Sequence, residues 1–203
     1  MNMITDADTL RAHFGPVSPL AEKKQLDRLD PHCRAFIALS PFLVLATADG
    51  NGGVDASPRG DAPGFVKVID DFTLLLPDRP GNRRVDSFRN IVANPGIGLL
   101  FFVPGIDETV RINGIAKIIT DATLLADVPA MGKTPATGLL VTVTEAFYHC
   151  AKALIRSHLW DPATRIERNT FPTLGKIIAD QTHGVRAEDA DASIADAYRT
   201  KLY

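Results

Sequence analysis

The chain has 203 residues, of which 45% are apolar and 23% charged, and this is enough apolar material for one domain with a sizeable core. Its formal net charge of -2 provides no general attraction to nucleic acid or to an anionic membrane, so neither is expected as a partner. The N-terminus has no basic-then-apolar leader, and no apolar run approaches the ~20 residues of a transmembrane helix. We therefore expect a cytoplasmic protein.

The cysteine content of the chain is low. Cys33 and Cys150 lie far apart and belong to no Cys-x-x-Cys pair. This pattern indicates neither a disulfide framework nor a zinc site, so no metal is expected.

The first part of the chain predicts helices followed by a hairpin. Residues 6–13 form a short predicted helix, and residues 31–39 form a second one with Asp30 as cap and Pro31 at its first position. The aromatic and branched residues of 42–48 predict a strand. Because the Asp-Gly-Asn-Gly-Gly segment after it is typical of a tight turn, a hairpin should return through residues 54–57.

The rest of the chain predicts more strands than helices. Strands are predicted at 65–69, 72–76, 97–103, 109–119 and 138–148. Helices are predicted at 85–92, 120–128, 150–159 and 174–180. Hairpin-joined strands at this spacing predict a mainly β (α+β) fold, namely an antiparallel, Greek-key-like barrel with peripheral helices.

We expect a single domain with three parts. Residues 1–40 are predicted to form a helical segment packed on the barrel. The barrel itself is expected over residues 41–162, and a helical extension is expected over residues 163–203.

The segment Pro77-Asp78-Arg79-Pro80-Gly81-Asn82-Arg83-Arg84 follows an apolar strand and precedes a predicted helix. The free N–H groups and the dipole at the start of a helix attract anions, and a guanidinium can donate to two phosphate oxygens at once. Three arginines within six residues therefore favour a small phosphate-bearing ligand. Asp78 and Asp86 leave open a second interpretation, in which the arginines only form surface ion pairs.

Several motifs occur in an order that resembles a known family. They are Asp55-Ala56-Ser57-Pro58-Arg59-Gly60-Asp61, the arginine segment above, Asn94-Pro95, Val110-Arg111-Ile112-Asn113-Gly114, and Arg156-Ser157-His158-Leu159-Trp160-Asp161-Pro162. Over residues 42–162 the chain resembles the pyridoxamine 5'-phosphate oxidase-related flavin-binding proteins. The resemblance is strongest to the FMN-dependent branch that carries the Pro-Asp-Arg-Pro-Gly-Asn-Arg-Arg signature.

The resemblance implies an FMN-binding split β-barrel that forms a homodimer, with each FMN site built from both subunits. It implies that Asn82, Arg83 and Arg84 hold the phosphate, with Pro77, Asp78 and Arg79 in the same cofactor-binding segment. Further implied contacts are Arg59 and Lys67 near the flavin, and Arg111, Arg156 and Trp160 from the partner chain. Because the flavin supplies the chemistry, no catalytic residue is named.

Some of these side chains also have structural interpretations. Lys67 fits a surface ion pair with Asp70 or Asp71 as well as a flavin contact. Asp61 fits either a contact to the flavin ring or the cap of a turn.

The same is true of the residues assigned to the partner chain. Arg111 alternates with apolar neighbours, so it fits the solvent side of a half-buried strand. Trp160 is the single tryptophan of the chain and also suits a core or interface position.

The resemblance implies an FMN-dependent oxidoreductase that acts on an unidentified small molecule, with a nicotinamide as a candidate electron donor. The Arg156-Ser157-His158 triplet precedes Trp160, unlike the Arg-x-His pattern of vitamin B6 oxidases, so that activity is not expected. The alternative is a non-catalytic flavin carrier or sensor, and relatives that bind haem or a deazaflavin leave a third option. A pocket open to a nicotinamide would favour the enzyme, whereas a flavin sealed by Trp160 and the C-terminal helix would favour the binder.

Overall fold

The computed structural model of the protein describes residues 2–203. Its strands are β1 (Phe42–Ala48), β2 (Val54–Gly60), β3 (Lys67–Val68), β4 (Thr73–Pro77), β5 (Gly96–Val103), β6 (Ile106–Ile119) and β7 (Gly138–His149). They form a seven-stranded antiparallel sheet in the order β2-β1-β5-β6-β7-β4-β3. β4 and β5 follow each other in the chain but lie on opposite sides of the β6–β7 pair. This crossing is the Greek-key-like connection that the strand pattern predicts.

The helices are α1 (Ala7–Phe14), α2 (Pro19–Lys23), α3 (Pro31–Leu39), α4 (Asp86–Ala93), α5 (Ala122–Leu125), α6 (Lys152–Ser157), α7 (Leu174–Gln181) and α8 (Ala187–Thr200). α3 begins as predicted, because the Asp30 carboxylate accepts a hydrogen bond from the Cys33 N–H at 2.7 Å and Pro31 occupies the first position. Its buried face packs on the sheet through Cys33, Phe36 and Ile37.

One hydrophobic core joins strands from both ends of the sheet. Alternate residues of β1, β4, β5, β6 and β7 enter it, as the period of a strand requires. Its fully buried strand residues include Leu43, Leu45, Leu74, Leu76, Leu99, Phe101, Val110, Ile112, Leu139 and Val141. Since β1 and β4 are separated in the sheet but share this core, the sheet curves around it. The predicted mainly β (α+β) split barrel with peripheral helices is therefore confirmed.

Gly114 marks a register shift between β6 and β7. A Cβ atom at this position would lie 2.4 Å from the main-chain oxygen of Thr142 on β7. Only glycine allows the two strands to approach this closely.

The structure differs from the predicted elements in four places, and the first is the short helix α2, where no helix was predicted. The helix predicted over residues 120–128 is the single turn α5, and the strand predicted over residues 65–69 is reduced to Lys67–Val68. The long helix α8 was not placed within the predicted C-terminal helical extension, because its apolar stripe of Ala190, Ile194 and Ala197 consists mostly of small residues and the helix contains no buried residue. Within residues 2–203 no helix is both long and apolar enough to cross a membrane.

Candidate functional site

The turn between β4 and α4 holds the arginine-rich segment, which we call the arginine turn (residues 78–85). Its first residue is anchored to the barrel, because the Asp78 N–H donates to the Thr137 carbonyl at 2.9 Å. The Asn82 side-chain oxygen accepts a hydrogen bond from the Arg84 N–H at 3.0 Å. Arg83 and Val85 have φ values of 62° and 54°, so both occupy the left-handed region that side-chain-bearing residues rarely adopt.

The arginine turn leads into α4, whose N-terminus has no side-chain cap in the part of the chain that the structure describes. Val85 is the N-cap residue of α4 and offers no side-chain acceptor to the first N–H groups of the helix. Ser87 in the first turn is buried and donates its hydroxyl to the Asp55 carboxylate at 2.6 Å. The first N–H groups of α4 therefore have no cap from a described side chain and can attract an anion, although Asp86 already places one carboxylate in this turn.

A cavity of about 1050 Å³ lies beside this turn, and we call it the arginine cavity. The barrel side is formed by Arg59, Asp78, Arg79, Pro80, Gly81, Asn82, Arg83, Val85 and Phe88. The opposite side comes from α7, α8 and the residues after them, through Leu174, Ile194, Ala197, Tyr198, Thr200, Lys201, Leu202 and Tyr203. Its volume is slightly above the range of about 300 to 1,000 Å³ that is typical of small-molecule sites.

Two arginines that form no ion pair with the described residues bring positive charge into the arginine cavity. Arg83 is exposed, and among residues 2–203 no carboxylate forms an ion pair with it. Arg59 is half-buried and donates only to neutral oxygens, at 2.7 Å to Ser57 Oγ and at 3.4 Å to Ser87 Oγ. Both guanidinium groups can therefore pair with an anionic ligand.

Asp78 is the carboxyl group that lines the arginine cavity. Burial raises its pKa, although the charges of Arg59 and Arg79 act in the opposite direction. The Asp78 carboxyl therefore offsets part of the positive charge of the neighbouring arginines.

Arg79 has a partner that the sequence did not indicate. Its Nε donates to Asp61 Oδ2 at 2.6 Å and its Nη1 to the Val128 carbonyl at 3.1 Å. The side chains of Arg79 and Asp61 are only 17% and 5% exposed, so this is a nearly buried ion pair. The Tyr203 hydroxyl donates to the other Asp61 oxygen at 2.8 Å.

The environment of Asp61 favours its charged form. Burial acts to raise the pKa of this carboxyl, but hydrogen bonds from the Ala62 N–H, Tyr203 and Arg79 together hold the pKa below its ordinary value. The Ala62 N–H donates to Asp61 Oδ1 at 2.7 Å, which is a contact to the next residue and not the two-residue bond of an Asx turn. The ion pair with Arg79 adds a contact that the cap interpretation of Asp61 did not include.

Lys67 lies in a second cavity of about 630 Å³, which we call the lysine cavity. Its ammonium group forms an ion pair with Asp127 at 2.6 Å, and not with Asp70 or Asp71, the partners considered from the sequence. Asp71 instead pairs with Arg34. The ion-pair interpretation of Lys67 was therefore right about the kind of contact but named the wrong partners.

Arg84 differs from Arg83 in its surroundings. Its Nε donates to Asp86 at 2.8 Å, and its side chain is 73% exposed. The hydrogen bond and charge of Asp86 raise the pKa of Arg84. Arg84 does not line the arginine cavity, so the ion-pair interpretation describes this arginine in the structure.

Three predicted site residues lie far from the arginine turn within one protomer. Arg111 forms an ion pair with Glu145 on β7. Its register partner on β7 is Phe147, about 30 Å along the strand from Gly138. Gly138 is the register partner of Pro77, the residue before the arginine turn. Arg156 is exposed on α6. Trp160 donates its indole N–H to the Ile106 carbonyl at 2.9 Å.

Arg111 does not only face solvent, because its side chain also contacts an aromatic ring and is partly buried. Its guanidinium carbon lies 5.2 Å from the centre of the Phe147 ring. Its Nε is buried and lacks a hydrogen-bond partner among the described residues.

Sequence reasoning missed the contribution of the C-terminal residues to this region. Lys201 and Tyr203 line the arginine cavity, but neither belongs to a motif. Only the tertiary structure, which places the residues after α8 across the cavity from the arginine turn, shows their position.

Comparisons with known proteins found similarity at the level of family and structure. No curated protein matches the chain significantly. HupZ from Group A Streptococcus has 19% identity over 59% of this chain and 93% of its own, with a TM-score of 0.48. A candidate pyridoxamine 5'-phosphate oxidase from Lactobacillus delbrueckii has 21% identity over 61% of this chain and 98% of its own, with a TM-score of 0.47. An FMN-binding protein from Syntrophomonas wolfei has 12% identity over 64% of this chain and 86% of its own, also with a TM-score of 0.47.

The family comparison covers most of the barrel. A family model described as pyridoxamine 5'-phosphate oxidase matches residues 29–150, which is more than half of the chain and includes all seven strands. The chain therefore belongs to the pyridoxamine 5'-phosphate oxidase family.

Proposed function

We propose that the chain binds FMN with its phosphate in the arginine cavity and works as an FMN-dependent oxidoreductase. The observation that carries this proposal is Arg83, an exposed cation without a carboxylate partner among the described residues, placed beside the uncapped start of α4. Family membership and the motifs that resemble the FMN-dependent branch support the same cofactor.

The residues present fit the phosphate of FMN. Arg83 and Arg59 would donate to its oxygens, and the amide of Asn82 would add a neutral donor. Arg84 is next to Arg83 in the chain, but its Nε already donates to Asp86. We therefore expect it to contribute less than Arg83 to phosphate binding.

FMN, when bound, supplies electron and hydride transfer, so the protein only has to hold and surround it. No catalytic side chain is proposed. The proposed substrate is a small molecule, with a nicotinamide as electron donor.

We further propose a homodimer, because Arg111, Arg156 and Trp160 can contribute to a flavin site only on a second copy. An apolar part of the sheet surface supports this assembly. Phe42 on β1 is 40% exposed and packs beside Phe102 on β5, with ring centres 6.1 Å apart. Sedimentation velocity on the purified protein tests it, and a monomer at all concentrations would contradict it.

A second candidate function is a flavin carrier or sensor without turnover. It is favoured by α8, which covers one side of the arginine cavity and would limit access of an electron donor. Trp160 does not line this cavity, so it takes no part in the cover within one protomer.

Near-ultraviolet and visible absorbance separates the two candidates. The spectrum is recorded after FMN is added to purified protein and again after NADPH is added without oxygen. Flavin bands that bleach with NADPH support the enzyme, and bands that persist support the carrier or another electron donor. A protein that retains no FMN after gel filtration would contradict both.

A further inference from the structure

Tyr203 stands between cavities that the proposed cofactor would have to use together. It lines both the arginine cavity and the lysine cavity, and Arg79 is the other side chain common to both. A smaller cavity of about 220 Å³ also touches both residues. Tyr203 and Arg79 therefore form the partition between these spaces.

Tyr203 is held at two points by different parts of the barrel. Its hydroxyl donates to Asp61 in the loop after β2 at 2.8 Å. Its main-chain oxygen accepts from Lys133 Nζ in the loop before β7 at 2.9 Å. Because Asp61 also pairs with Arg79, the two halves of the partition share one carboxylate.

Tyr203 follows the α7–α8 hairpin, and this hairpin makes most of its contacts within itself. α7 and α8 pack against each other, and Asp191 on α8 accepts hydrogen bonds from Thr173 Oγ1 at 2.6 Å and from the Gly175 N–H at 2.8 Å. Gly175 is the one buried residue in the two helices. A segment that buries so little surface against the barrel can move as a unit when a few contacts break.

The partition separates two cations that the proposed FMN site would use together. A ribityl chain separates the phosphate of FMN from its ring, whereas Arg83 lies in the arginine cavity and Lys67 in the lysine cavity. A flavin that uses both cations must cross the position of Tyr203.

We propose that Tyr203 is a gate residue, whose contacts to Asp61 and Lys133 keep the two cavities apart and whose release joins them into one flavin-length cleft. This inference rests on the proposed function. It predicts that FMN binding displaces the α7–α8 hairpin from its observed position.

The test compares FMN binding rates, measured by the change in flavin fluorescence after rapid mixing. Tyr203→Phe removes the hydroxyl contact and keeps the ring, and Lys133→Met removes the second contact. Loss of a hydrogen bond to a charged partner should speed association by about tenfold or more. Tyr148→Phe is the matched control, because Tyr148 lies outside both cavities and its hydroxyl makes no hydrogen bond among the described residues.

Hydrogen exchange provides a second readout. Exchange in α8 should rise in Tyr203→Phe without ligand, and it should rise in the wild-type protein when FMN binds. Protection of α8 by FMN would overturn the gate, because it would mean that the hairpin closes onto the flavin.

The outcomes separate the gate from the cofactor assignment. If wild-type protein binds FMN but both gate variants bind it at the wild-type rate, the gate is wrong and the proposed function stands. If neither the wild type nor the gate variants bind FMN, both the proposed function and the gate are overturned.

Discussion

Replacement of Arg83 by alanine should weaken FMN binding without unfolding the protein. Arg83 is exposed and makes no ion pair with the described residues, so its removal leaves no buried partner unsatisfied. Alanine carries a Cβ as arginine does, so the strain of the left-handed backbone, φ 62°, is unchanged. We expect the free energy of unfolding to stay within about 0.5 kcal/mol of wild type.

The expected loss of affinity follows from one charge-assisted contact to the phosphate. Such a contact contributes roughly 1.5 to 3 kcal/mol, which corresponds to an increase in Kd of about 10- to 150-fold. Arg84→Ala should have a smaller effect, because this arginine is already paired with Asp86. Combining the two replacements should weaken FMN binding by several kcal/mol.

Isothermal titration calorimetry with FMN measures these affinities, and Arg89→Ala serves as the control. Arg89 is an exposed arginine on α4 that lies outside the arginine cavity. Affinity should also fall with added salt for wild type, and less steeply for Arg83→Ala. An unchanged Kd in Arg83→Ala, in a protein that binds FMN, would refute the phosphate assignment.

Three further predictions concern stability and reactivity. Asp61→Asn should lower the free energy of unfolding by about 3 to 5 kcal/mol, since it leaves Arg79 charged and nearly buried. The folded-state pKa of Asp61 is below its ordinary value of 3.8, so its stabilisation is present above about pH 4 and is lost as pH falls through the folded-state pKa. Denaturation curves of Asp61→Asn and wild type should therefore converge in acid, and a constant difference would contradict the pair. Gly114→Ala should destabilise by about 1 to 3 kcal/mol in thermal melts, because its Cβ would lie 2.4 Å from a carbonyl on β7, and a melt like that of wild type would refute this packing. Burial raises the pKa of Cys33 to about 12, so a thiol reagent should modify the exposed Cys150 first and Cys33 only on unfolding, and equal rates would disprove the difference in burial.

The sequence alone determined the elements whose signals are local. The Asp30-Pro31 cap, the glycine-rich turn after β1 and the strand at residues 97–103 depend on neighbouring positions, and the structure confirms all three. The arginine turn was also evident, since its charges and its place before α4 lie within one short segment. The family could be recognised because its motifs keep their order along the chain.

Only the tertiary structure decided which charges are free and which are paired. Arg79, Arg83 and Arg84 are the same residue type, but the structure gives them different surroundings. Arg79 is nearly buried and pairs with Asp61, and Arg84 pairs with Asp86. Of the three, only Arg83 is left for a ligand in the arginine cavity. The sequence likewise did not show that Lys67 pairs with Asp127 or that α8 covers one side of the arginine cavity. Tyr203 and Asp61 are 142 positions apart, and nothing in a sequence with many carboxylates specifies which of them a distant hydroxyl will meet. Local propensity sets the elements, but the curvature of the sheet and the packing of the last helices bring their side chains together.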